Sequence, residues 1–146
     1  MMRPRSIVWF ERLYLSGLLL SLAGWALSWP ALERRLLVDP RTFAYPSLWY
    51  VLPLAMLLGA ALTLLLWWLV ARRASRVGKW LVVAFATLAG VRLAFNLPVL
   101  LGGRVAIAQV LLAFATTGLS IAAAAFLFAD DARAWFGEDA ASEERA

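Results

Sequence analysis

Residues 79–101 read KWLVVAFATLAGVRLAFNLPVLL. Beyond its opening lysine the stretch holds a single charge, Arg92, in an otherwise apolar run. A helix rising about 1.5 Å per residue over this length covers the roughly 30 Å hydrocarbon core of a bilayer. Three further stretches have the same character: Ile7–Trp29, Ser47–Ala71 and Val105–Ala129. Most remaining charges fall in the gaps between the four. The solvent of this chain is therefore lipid, where only helices or closed barrels satisfy their own backbone.

Composition agrees. Of 146 residues, 64% are hydrophobic and 16% charged, with a mean hydropathy of +0.79. Four apolar runs of this length are too many for the core of a soluble protein this small. The expected fold is all-α: one integral membrane four-helix bundle over residues 1–136. Residues 137–146 form a short acidic cytoplasmic tail expected to be disordered. The chain contains no cysteine and no histidine. Disulfides, thiolate chemistry and imidazole ligation are thereby excluded. A net charge of +5 in such a chain reads as basic loops held on one membrane face, with no nucleic-acid partner expected.

Orientation follows from Arg and Lys near the span ends. Arg3, Arg5, Arg12, Arg72, Arg73, Arg76, Lys79, Arg133 and Arg145 lie on one side, against Arg34, Arg35, Arg41 and Arg104 on the other. This places both termini in the cytoplasm. A cleaved signal peptide ending near Ala26-Leu27-Ser28 is the competing reading of the first span. Flanking Trp25 and Trp29, with Glu11 and Arg12 early in the run, favour an uncleaved helix. Trp9, Trp67, Trp68 and Trp80 mark the inner edge and Trp25, Trp29 and Trp49 the outer, as indole prefers the headgroup region.

The outer loop 30–46 is expected to hold a short interfacial helix over Ala31–Val38, closed by Asp39-Pro40. Gly102-Gly103 leaves so little chain that spans three and four must form a tight hairpin. Asp130–Phe136 is expected to lie on the inner surface through Trp135 and Phe136. Small residues mark helix contacts in lipid. Gly17, Ser21, Gly24 and Ser28 make one such face on the first span, and Ala113, Thr117, Ser120 and Ala124 another on the fourth. Ala55, Gly59 and Thr63 repeat the pattern on the second, and Ala86, Gly90 and Ala94 on the third.

The polar residues inside the membrane carry the functional reading. Asn96 and Gln109 stand six residues either side of the Gly102-Gly103 pair, so a hairpin puts their amides at one depth, able to bridge the two helices. Arg92, one turn before Asn96, falls near the bilayer middle, where Arg costs roughly 2.5–3.5 kcal/mol on insertion scales. No Asp or Glu reaches that depth. Thr116, Thr117, Ser16, Ser21 and the Ala94 carbonyl freed by Pro98 are neutral partners for the guanidinium. Arg92, Asn96, Gln109, Thr116 and Thr117 thus form the candidate intramembrane polar cluster. Three roles stay open for Arg92: a hydrated structural cavity, a pair with an acid on another membrane protein, or an anionic ligand or lipid headgroup site. Glu11, by contrast, sits at the inner edge level with Arg72, Arg73 and Arg76, and is expected to pair with one of them. Small four-helix multidrug exporters match in size and span count but hold a glutamate deep in a span, which Glu11 is not.

Two segments, PRSIVWFERLY over 4–14 and Leu127-Phe128 with Asp131-Ala132-Arg133-Ala134-Trp135-Phe136, resemble those of uncharacterised small four-span bacterial inner-membrane proteins. The resemblance implies location and topology and carries no activity. No catalytic residue, cofactor or metal is expected, because nucleophile–base pairs, ligand clusters and phosphate loops are all missing. The leading expectation is a non-catalytic interaction or accessory membrane subunit. Its partners would be membrane lipids and either further copies of itself or another membrane protein. The alternative is transport or binding of a small solute or lipid in an Arg92-centred pocket.

Overall fold

A computed structural model describes residues 3–38, 48–102 and 106–137. Among them all regular structure is helical: α1 (Arg5–Val38), α2 (Leu48–Ala71), α3 (Arg76–Leu101), α4 (Ile107–Phe126) and the short α5 (Asp130–Trp135). Each of the four long helices is long and apolar enough to cross a membrane. Their bounds follow the four apolar stretches closely, apart from α1. Residues 39–47, 103–105 and 138–146 lie outside the described residues, and with them most of the acidic tail, Arg41 and Arg104.

The expected break after Trp29 is absent. α1 runs on through Pro30 to Val38, so the separate interfacial helix is instead a continuation of the first span. Proline removes one backbone donor and frees the carbonyl four residues back, a local loss that the rest of the helix absorbs. Arg34 Nε donates to the Pro30 carbonyl at 3.1 Å, bracing the turn that follows. At 34 residues α1 is about 51 Å long, well beyond the roughly 30 Å core.

The long helices form a ring. α1 packs most extensively on α4 and α4 on α3, while α2 touches α1 and α3 more lightly. Buried residues gather at one end of this ring: Ile7 and Phe10 of α1, Val70 and Ala71 of α2, Val82 of α3 and Ala123 of α4. Because helix starts and helix ends meet in one cluster, sequence-adjacent helices run antiparallel. This is the closed end. Toward the opposite end burial thins: from Trp49 to Leu65 α2 buries no residue, and Tyr50, Leu54, Leu57 and Leu58 are exposed.

One seam runs further. A Cβ at Gly24 would lie 2.0 Å from Leu112 Cδ2, and one at Gly17 would lie 3.6 Å from Leu119 Cβ. The small-residue face of α1 therefore does seat α4, as close packing in lipid requires. Gly90 similarly approaches Ile121. The α2 face does not repeat this: nothing lies within 4 Å of a Cβ at Gly59.

The turn between α2 and α3 is built for its place. Ser75 caps α3 by accepting from the Gly78 amide at 3.2 Å, satisfying one orphan donor of the first turn. Ala74 adopts φ +48°, a left-handed conformation costing a non-glycine residue roughly 1–2 kcal/mol.

Candidate binding cleft around Arg92

Arg92 stands on α3 between the two ends. It lines a cleft of about 600 Å³ with Asn96 and Leu100 from α3, Ser21 from α1, and Ala113, Thr116 and Thr117 from α4. Toward the closed end this adjoins a second cleft of about 460 Å³ to which all four long helices contribute. Ser21, Phe85, Ala89, Thr116 and Thr117 line both. Arg92 is exposed at the mouth of this cleft. Among the described residues, none of α2 lines this cleft.

Four of the five cluster residues meet in this cleft, and Gln109 does not. Asn96 Nδ2 donates to the Arg92 carbonyl at 2.7 Å, so the expected bridge to Gln109 does not form. Both side chains are exposed. A carbonyl one turn back on the same helix satisfies the amide without bringing two helices together, and this local bond wins.

The hydroxyls follow the same rule. Thr116 Oγ1 donates to the Leu112 carbonyl at 2.8 Å, and Ser120 to that of Thr116 at 2.9 Å. Across the ring, Thr63 donates to the Gly59 carbonyl at 2.8 Å. Their donors are spent inside their own helices, so the walls are less polar than their composition suggests. Among the described residues, Arg92 is the one charged residue lining the two clefts, and no carboxylate lines either. In an apolar span, a cation with no acid in its cleft calls for an anion from elsewhere.

The closed end holds polar contacts that the sequence reading missed. The Asp131 carboxylate accepts from the Ser6 backbone amide at 3.0 Å, capping α1 from a distant helix. That hydrogen bond is the main reason its carboxyl is held below the ordinary carboxylate value, since it favours the charged form. Arg76 Nε donates to the Phe136 carbonyl at 2.9 Å, and the same guanidinium bonds Gly137. Trp135 Nε1 donates to the Val70 carbonyl at 3.3 Å.

Lys79, read from sequence as a loop base, is only 2% exposed. Its Nζ lies 4.7 Å from the Phe128 ring centre and 5.1 Å from that of Phe136, within cation–π range. α5 is therefore tucked under the ring, with Ala132 and Phe136 buried, and does not merely rest on a surface.

Glu11 pairs with Arg3 at 3.3 Å, correcting the expected partner. The three loop arginines are engaged elsewhere: Arg76 with α5, and Arg72 and Arg73 over the rings of Trp67 and Trp68. Only the lone lysine among thirteen arginines could have hinted at the special place of residue 79. The remaining closed-end contacts left no periodic trace.

No family model, curated protein or solved structure matches this chain.

Proposed function

We propose that this is a non-catalytic multi-pass protein of a bacterial inner membrane that acts by receiving an anionic group at Arg92. In this reading the ring is an antiparallel transmembrane bundle with both termini cytoplasmic. α3 and α4 form a hairpin, and the closed end faces the cytoplasm. The distribution of Arg and Lys supports that orientation. One observation carries the function: a lone guanidinium lines an open cleft whose wall offers hydroxyls and an amide but no carboxylate. Keeping Arg at such depth is costly, and in membranes such residues mark ligand paths or partner contacts. With neither cysteine nor histidine in the chain, binding is better supported than chemistry.

A second reading keeps the same residue and changes the anion's source. The exposed outer half of α2, with Leu54, Leu57 and Leu58, offers a face to a helix of another membrane protein, whose carboxylate would meet Arg92. The chain would then be an accessory subunit.

Arg92→Leu tests both. Removing the charge is expected to leave the bundle as stable or to stabilise it by up to about 2.5–3.5 kcal/mol, the insertion penalty of Arg. Loss of anion binding by the intact variant supports the ligand site. Loss of a membrane-protein partner in pull-down, with anion binding retained, supports the accessory subunit. A variant that matches the parent in both assays overturns the proposal.

A further inference from the structure

We infer that the ligand of the Arg92 cleft is an anionic amphiphile, with its phosphate or carboxylate on Arg92 and its alkyl chain in the inner cleft. This rests on the reading that Arg92 receives an anion, and adds what lies below the charge. The inner cleft continues from Thr116 and Thr117 toward the closed end and is walled by Leu18, Leu22, Met56 and Leu66. The hydroxyls of Thr63, Thr116 and Ser120 donate to their own helices and ask nothing of an alkyl chain, while those of Tyr14, Ser21 and Thr117 stand among these apolar walls. At about 460 Å³ it has the volume of a ligand pocket.

Its length fits as well. From Arg92 back to Val82, at the foot of the cleft, α3 covers about 15 Å, half the roughly 30 Å bilayer core and so one leaflet's depth of chain. Met56, Gly59 and Ala60 bring α2 to the inner cleft, but among the described residues none of α2 lines the outer one, which leaves its side open to the lipid. A small free anion would use only the outer cleft and leave this apolar shaft without purpose.

Equilibrium binding of dodecyl phosphate and of inorganic phosphate to the full chain in phosphatidylcholine nanodiscs tests the assignment, with empty nanodiscs as background. The parent is expected to bind dodecyl phosphate at least about tenfold more tightly than inorganic phosphate. Gly59→Phe fills the inner cleft from a position with open space around it. It should weaken dodecyl phosphate by about tenfold or more and leave inorganic phosphate unchanged. Gly118→Phe, equally open but lining neither cleft, should change neither. Arg92→Gln should lose both probes.

Equal affinity of the parent for the two probes overturns the chain assignment, as does Gly59→Phe binding dodecyl phosphate like the parent. In both cases Arg92→Gln still losing phosphate leaves the anion site standing. Retention of both probes by Arg92→Gln would sink the anion site and the amphiphile together.

Discussion

Phe10 and Phe95 are the same side chain on two helices of one ring, and their surroundings could hardly differ more. Phe10 is fully buried at the closed end beside Ile7 and Val70, whereas Phe95 is 81% exposed at the open end. In lipid, apolar contact with a neighbour and with acyl chains are nearly equivalent, so exposure of Phe95 is not a defect. What separates the ends is how their polar groups are used. At the closed end Asp131, Arg76 and Trp135 tie α5 to other helices. Along the clefts above it Asn96, Thr116 and Thr63 bond only to their own helices. One end is stitched together and the other is left able to accept something.

Substitutions at matched positions put numbers on this contrast. Phe10→Ala should cost about 3–5 kcal/mol, the range for a core aromatic. Phe95→Ala should leave unfolding nearly unchanged in the same detergent denaturation series. Equal losses would mean that the open end is as tightly packed as the closed one.

The glycines make a second pair. Gly24→Leu drives a side chain into Leu112 and should cost about 1–3 kcal/mol by overpacking, while Gly59→Leu meets open space and should cost little. A smaller gain is expected at the α2–α3 turn. Ala74→Gly relieves the left-handed backbone and should raise stability by about 1 kcal/mol, read as a higher unfolding midpoint.

The smallest effect should come from pH. The Asp131 carboxyl sits below its ordinary value of 3.8 in the folded chain. Its contribution is therefore complete above the unfolded value and is lost as pH falls through the lower folded one. The parent should lose stability in that acid window, and Asp131→Asn should lose less across it. Parallel acid profiles would mean that the cap on Ser6 contributes nothing.

Much of this was legible from residues alone, for identifiable reasons. Membrane thickness dictates span length, so the helices could be placed from apolar runs. Close packing in lipid requires small residues, so Gly17 and Gly24 marked a contact face on α1, although not that α4 would fill it. Arg92, Asn96, Thr116 and Thr117 could be grouped because helical rise sets their depth.

What could not be read were choices between near-equal partners. Asn96 had Gln109 across the hairpin and the Arg92 carbonyl one turn back, and the local bond won. Glu11 had three arginines across the loop and Arg3 eight residues earlier on its own side, and again the nearer group won. α5 is six residues long, too short for any periodicity to show which face it buries. The continuity of α1 through Pro30 escaped notice because proline more often ends a helix than sits within one.

The proposed orientation puts the closed end at the cytoplasm and leaves the Arg92 cleft open toward the outer half of the bilayer. With no native cysteine, single-cysteine variants report cleanly. Thr117, which lines both clefts, and the fully buried Ala123 lie on the same helix. Labelling Thr117→Cys and Ala123→Cys with a membrane-impermeant maleimide, added to the outer or the cytoplasmic face, measures access directly. Thr117→Cys should react from the outer face only, and Ala123→Cys from neither. Reaction of Thr117→Cys from the cytoplasmic face, or of Ala123→Cys at a comparable rate, would contradict that orientation.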